Sequence, residues 1–192
     1  MPVEQIYPTP IYYCFLDNQR QIDKELSDCI VNKTEFKMNK SWGATHFLSD
    51  PSFSENFIED QKVDTLKSEI LRHLNFYCTE IGISKLIKPK IYSSWVSLFK
   101  ENNYGHIHDH GHSDISGVYY YRTSGEDGKI FFETPNPHLS TSFCYEQLST
   151  PWEHTPIEGK LLLFPGWLKH GIRTNPTKKE RISISFNISF ER

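Results

Sequence analysis

The amino-acid sequence predicts an α+β, mainly β chain in which helices come first and a β-core follows. Three observations carry that prediction. Residues 55–80 place apolar side chains at helical spacing. From residue 89 onward the chain breaks into short runs rich in β-branched and aromatic residues, separated by turn residues. At 192 residues, with 37% apolar and 14% aromatic content, the chain is long enough for one good core and short for two. One domain over 1–192 is therefore expected, with 1–88 supplying a strand and helices and 89–192 the β-core.

Taken in order, "IYPTPIYYCFLD" (6–17) reads as an extended opening, because Pro8 and Pro10 disfavour helix and the residues around them favour strand. Residues 18–32 carry Ile22, Leu26, Cys29 and Ile30 among charges, the pattern of a short amphipathic helix. The stronger helix is 55–80, where Val63, Leu66, Ile70, Leu74 and Tyr77 form one stripe and Gly82 is placed to follow its end. The runs "KIYSSWVSLF", "ISGVYYYR", "GKIFFET", "KLLLFP" and "RISISFNISF" then suggest a barrel or sandwich, with the helices packed against one sheet.

Composition narrows the function. Twenty-one Lys and Arg against 24 Asp and Glu give a formal net charge of -3 with no basic cluster, so nucleic acid is not an expected partner. No stretch approaches the roughly 18 apolar residues of a membrane span, and the first residues lack a basic segment followed by an apolar run. Neither a membrane nor export is expected, and the cytoplasm is the simplest compartment. Cys14, Cys29, Cys78 and Cys144 are scattered with no C-x-x-C pair, which fits reduced thiols better than a disulfide framework or zinc ribbon.

The chain has nine histidines, and His106, His108, His110 and His112 alternate along "GHIHDHGHSDISGVYYY". Imidazole is the commonest metal ligand. Residues i and i+2 of a strand lie about 6.8 Å apart, close enough to share one ion, whereas His106 and Asp114 would lie about 27 Å apart if extended. One adjacent pair at most can ligate, and a third ligand must come from elsewhere. His170 is the candidate, delivered by the strand Leu161–Phe164 and the turn at Pro165 and Gly166. Eleven residues later Arg181 opens a strand that sets Ile182, Ile184, Phe186, Ile188 and Phe190 on one face and Arg181, Ser183, Ser185, Asn187 and Ser189 on the other. A single cation among small polar groups suits a strand that lines a polar cavity, and also a serine-rich solvated face.

The blocks "HIHDHGHSDISGVYYY", "EGKLLLFPGWLKHGI" and "RISISFN" resemble the signature of a family of 2-oxoglutarate and iron(II)-dependent oxygenases. That family is a branch of the double-stranded β-helix superfamily that includes prolyl hydroxylases. "IYPTPIY" and "SWGATHFLS" (41–49) extend the likeness over nearly the whole chain, and the most specific part is a distal His followed by R-x-S, here His170 and Arg181-Ile182-Ser183. The resemblance implies a double-stranded β-helix (jelly-roll, cupin-like) core. It also implies Fe(II) and 2-oxoglutarate as cofactors, O₂ as co-substrate, and oxidation of a small-molecule or peptidyl substrate, with release of succinate and CO₂.

By the same resemblance His108, His110 and His170 hold the metal, Arg181 pairs with the far carboxylate of 2-oxoglutarate with Ser183 beside it, and Tyr119 offers its hydroxyl to that carboxylate. The usual ligand set is two histidines and a carboxylate. The matched positions give three histidines, and His112 with Asp114 is the rival H-x-D pair. Trp95 and Trp167 are either packed aromatics or pocket walls, and His106 and His112 either orient the ligands or sit exposed. His46, His73, His138 and His154 carry no functional expectation. Residues 123–156 and the N-terminal helices are expected to shape the substrate pocket. Two other readings stay open: a non-catalytic metal- or acid-binding β-helix, and a cupin-like three-histidine enzyme without the keto acid. The latter leaves Arg181 without a carboxylate to meet.

Overall fold

The computed structural model describes residues 8–40, 45–50, 54–83, 88–141 and 143–191. The expected extended opening yields β1 (Tyr12–Phe15), and α1 (Gln19–Lys33) follows, burying Ile22, Leu26, Cys29 and Ile30 as its periodicity requires. Asn18 does not cap α1 with its side chain; its Nδ2 instead donates to Glu69 Oε1 at 2.7 Å and ties the helix start to a second helix.

The single helix expected over 55–80 is two: α2 (Phe57–Asp60) and α3 (Asp64–Glu80). Lys62 adopts φ +56, and the Val63 N–H closes onto the Ile58 carbonyl at 3.0 Å, the bond pattern that ends a helix through a left-handed residue. Val63 and Ile58 are both fully buried by this turn. Periodicity alone runs straight through, because the stripe continues on the far side of the break. At the other end of α3, Gly82 takes φ +77 and the Ile83 N–H reaches the Cys78 carbonyl at 2.8 Å, so the expected glycine stop is present.

The β-elements are β2 (Phe36–Met38), β3 (Phe47–Ser49), β4 (Lys88–Phe99), β5 (Gly105–His108), β6 (Ile115–Arg122), β7 (Ile130–Phe132), β8 (Trp152–His154), β9 (Lys160–Pro165), β10 (His170–Ile172) and β11 (Arg181–Glu191). They form a seven-stranded sheet ordered β1-β9-β6-β11-β4-β3-β2 and a four-stranded sheet ordered β5-β10-β7-β8, with all strand pairs antiparallel. This is the double-stranded β-helix architecture.

Each of the five runs read from sequence contains a strand, which in "GKIFFET" is confined to Ile130–Phe132. The short ones (β2, β3, β5, β8, β10) escaped because three or four residues carry no readable alternation and are held by their neighbours. Both faces of the larger sheet are covered, which explains the unbroken apolar runs of β6 and β9. Tyr119, Tyr121, Leu161 and Leu163 pack with Leu26, Ile70, Leu74 and other helix residues, as expected for helices on one sheet. Val118, Tyr120, Leu162 and Phe164 point the other way and meet Ile130, Phe132 and Leu168 between the sheets.

Candidate metal and carboxylate site

The two sheets enclose a cavity of about 310 Å³. His108 and His170 are direct partners across the β5–β10 pair, with ring centroids 4.4 Å apart. The third imidazole arrives differently. The strand ends at His108, and the loop beyond it is stitched to the turn before β10. His110 N–H donates to the Gly166 carbonyl at 2.8 Å, and Gly166 N–H donates to the Asp114 carbonyl at 3.2 Å. A Cβ on Gly166 would lie 2.1 Å from the Ser113 carbonyl oxygen, so only glycine allows this approach. His110 thereby sits 5.1 Å from His108 and 5.2 Å from His170 between ring centroids.

One nitrogen from each of His108, His110 and His170 lies within 4.8 Å of the others, the spacing that one metal ion can span. The His106 carbonyl accepts from His108 Nδ1 at 2.8 Å, and the Leu168 carbonyl accepts from His170 Nδ1 at 2.9 Å. A carbonyl oxygen can only accept, so each Nδ1 carries the proton and the lone pair lies on Nε2. Burial lowers all three imidazole pKa values, His110 to about 4 and His170 to about 3, and their mutual proximity lowers the latter two further. The rings are therefore neutral at neutral pH, the form that ligates.

The rival pair is elsewhere. Asp114 Oδ2 accepts from the Phe190 N–H at 2.8 Å and anchors the end of β11, while His112 is exposed. His106 is also exposed, edge-on to Tyr104, and contributes its carbonyl rather than its ring.

Arg181 is 1% exposed and lines the same cavity. Its Nη1 donates to the Gly128 carbonyl at 2.7 Å, and the guanidinium lies 4.1 Å from the Phe99 ring centroid. Among the described residues no carboxylate forms an ion pair with it, and its Nε is a buried polar atom without a partner. Asp127 is buried nearby, but its oxygens are taken by Thr123 Oγ1 and the Ser124 N–H. Burial presses the Arg181 pKa downward. A buried cation short of an anion costs several kcal/mol, roughly, until a carboxylate arrives. Ser183 and Ser185 line the cavity beside it, so the polar face expected for β11 is a cavity wall over its first half. Past a bulge at Asn187 that face turns structural: Asn187 bonds Ser116 and Ser93.

Tyr119 requires a correction. Its side chain belongs to the helix-side core, and the tyrosine on the cavity wall is Tyr120, whose ring centroid lies 5.8 Å from the guanidinium. Neighbours on a strand face opposite ways, and a run of three tyrosines gives no hint which one turns inward. The pocket walls also differ from expectation. The helices lie behind the larger sheet, and the N-terminal part contributes Asn39, His46 and Leu48 from the β2–β3 hairpin instead. Trp95 is a wall, 5.9 Å from His110, whereas Trp167 is 52% exposed and does not line the cavity. His46 is buried, stacked on Phe99 at 4.5 Å. Burial and the nearby Arg181 hold its pKa at about 4. Residues 41–44 of the "SWGATHFLS" resemblance lie outside the described residues.

An antiparallel β-helix thus directs three neutral imidazoles and one guanidinium into a single cavity, a set of groups that could hold one metal ion and one carboxylate. Residues 93–187 match the profile of the family described as "Putative 2OG-Fe(II) oxygenase", which places the β-core of this protein in that family. No curated protein sequence matches it significantly.

Several solved structures share the fold. A prolyl-4-hydroxylase of Pseudomonas putida aligns over 96% of this chain and 93% of its own, at 11% identity and a TM-score of 0.59. The non-heme alpha ketoglutarate dependent carbocyclase SnoK from nogalamycin biosynthesis covers 94% and 79%, at 8% identity and 0.62. HygX from Streptomyces hygroscopicus, with nickel, 2-oxoglutarate and hygromycin B bound, covers 94% and 83%, at 10% identity and 0.59. At such identities the likeness speaks for the fold alone. No described helix is long and apolar enough to cross a membrane.

Proposed function

We propose that this protein is an Fe(II)- and 2-oxoglutarate-dependent dioxygenase that hydroxylates its substrate, converting 2-oxoglutarate, O₂ and R–H into succinate, CO₂ and R–OH. The observation that carries the reading is Arg181: a buried guanidinium without a carboxylate, in the cavity that also holds the three imidazoles. In this reading His108, His110 and His170 hold the metal. Three protein ligands on one side leave positions for a chelating keto acid and for oxygen. When bound, iron and 2-oxoglutarate supply the oxidising power for a C–H bond.

Everything else falls to the protein. Arg181 pairs with the far carboxylate through charge-assisted bonds, since a guanidinium does not give up its proton in a protein. Ser183 and Tyr120 offer hydroxyls beside it. The Gly128 carbonyl and the Phe99 ring fix the plane of the guanidinium, so the keto acid is held in one orientation. Three neutral ligands leave Fe(II) and the dianion together uncharged, which suits an enclosed cavity better than a net charge. A cupin-like enzyme without the keto acid leaves the Arg181 charge unmet.

The test is anaerobic addition of Fe(II) and 2-oxoglutarate, read by the weak metal-to-ligand charge-transfer band in the visible. It is followed by admission of O₂, with succinate quantified and ¹⁸O₂ label sought in product. The reading expects a band and succinate. A missing band removes it, and a band with no label in any oxidised product removes hydroxylation while leaving the co-substrate site.

A further inference from the structure

We propose that Asn39 recognises the oxidisable substrate, and that the group it recognises is the backbone of an extended peptide residue. The inference rests on the oxygenase reading and names the substrate class of that same cavity. Asn39 follows β2, is 7% exposed and lines the cavity. Its position is fixed from behind: its backbone N–H donates to the His46 carbonyl at 2.8 Å, and the His46 ring is clamped on Phe99. Yet among the described residues no hydrogen bond reaches its carboxamide.

Three asparagines that tie the fold together show the contrast. Asn175 gives Nδ2 to the Lys179 carbonyl at 2.8 Å and receives the Thr177 N–H on Oδ1 at 2.9 Å. Asn187 gives Nδ2 to Ser93 and receives Ser116; Asn56 gives Nδ2 to the Ile91 carbonyl and receives Ser94. Each uses both ends of its amide, whereas Asn39 uses neither. Unlike Arg181 Nε, the Asn39 amide atoms are open to the cavity rather than sealed in the protein, so a molecule that enters the cavity is placed to become their partner.

The chemistry of that partner follows from the carboxamide, which needs one acceptor and one donor side by side. A carboxylate can only accept and would leave Oδ1 unmet; an ammonium can only donate and would leave Nδ2 unmet. The cavity lining agrees, since Leu48, Trp95, Phe164 and Ser185 on it are uncharged. Of the charged groups on the lining, Arg181 is committed to the keto acid and Asp109 is exposed. In an extended peptide the N–H and C=O of one residue point to the same side, the arrangement by which strand residues exchange paired bonds. Such a residue meets both ends of Asn39, while its side chain leaves the backbone roughly perpendicular to that hydrogen-bonding edge and is free to extend further into the cavity.

The probes are the N-acetyl, N-methylamide derivatives of the common amino acids, titrated against protein loaded with Zn(II) and 2-oxoglutarate, which cannot turn over. At least one should bind, and Asn39→Ala should weaken it by about tenfold or more, the loss expected when a paired polar group goes unanswered. Asn39→Asp, which keeps an acceptor and loses the donors, should fall between. The 2-acetoxy analogue of the bound probe, which lacks the N–H, should lose a similar factor with wild type and little further with Asn39→Ala. The Fe(II) and 2-oxoglutarate charge-transfer band in each variant reports that the site is still assembled. A wild-type band with no probe bound, equal affinity for wild type and Asn39→Ala, or binding of adenosine or cytidine in place of every capped amino acid overturns the assignment but leaves the oxygenase reading standing. Absence of the band in wild type removes both.

Discussion

Along β11, residues next to one another in sequence enter two different environments. Ile184 and Ile188 join the core beneath the helices, where Leu26, Ile70 and Leu74 are fully buried. Arg181, Ser183 and Ser185 line the cavity, where Arg181 Nε is buried without a partner and, among the described residues, no side-chain hydrogen bond is made by the two serine hydroxyls or the Asn39 amide. The first face is filled, and each residue on it contributes of order 1.5–3 kcal/mol by leaving water. The second gives up stability and keeps its polar groups available for ligands. The contrast teaches that one sheet separates folding from chemistry, so each face should fail in its own way when altered.

The largest effect is expected from His170→Ala. Loss of groups that merely orient a metal ligand costs 10- to 100-fold, so loss of the ligand itself should exceed roughly 100-fold in metal affinity and abolish the charge-transfer band. Metal titration by calorimetry checks it. Next comes the pair that most directly breaks the comparison. Leu74→Ala should cost about 2–5 kcal/mol in urea unfolding and leave metal and 2-oxoglutarate affinity unchanged in the folded protein. Arg181→Met should do the reverse. The 2-oxoglutarate Kd should rise about 30-fold or more, since one partner of a desolvated charge pair has been removed. Stability without ligand should stay level or increase, because an unpaired buried charge is gone. Thermal melts with and without 2-oxoglutarate read both, as the ligand should stabilise wild type and Leu74→Ala well beyond Arg181→Met.

A smaller effect sharpens the boundary between the faces. Tyr120→Phe should weaken 2-oxoglutarate binding several-fold, by about 1 kcal/mol. Tyr119→Phe should leave it unchanged. Loss in Tyr119→Phe with none in Tyr120→Phe would mean that the faces are the other way round. The smallest effect belongs to the helix side. Burial pushes the Glu69 carboxyl up, but the Arg72 guanidinium and the Asn18 amide outweigh it and hold the folded pKa below the ordinary carboxylate value. The stabilisation is thus present above the unfolded pKa and lost as pH falls through the folded one. Glu69→Gln should lower stability at pH 7 by under about 1 kcal/mol, and the difference should vanish in acid.

Much of this organisation can be read before folding. The stripe of α3, its glycine stop at Gly82 and the five long strand runs follow from periodicity, which a polypeptide of any topology must obey. The pairing of His108 and His110 with His170 was legible only through the motif blocks. Spacing fixed how many histidines one ion can use but not which strand lies beside which. The break at Lys62, the inward tyrosine, and the places of Asn39 and His46 on the wall were not legible. Each depends on a contact between residues far apart in sequence, or on a turn that no pattern marks.

By itself, then, the order of residues settled the longer strands, the helical stripes and their apolar faces, because these depend on neighbours within a few positions. Only the tertiary structure decided which residues share the cavity. His110 reaches His170 because Gly166 lets two loops touch, and Arg181 lacks an anion because the nearby Asp127 is bound to its own turn. Both are facts of distance in space, and separation along the sequence holds no measure of it.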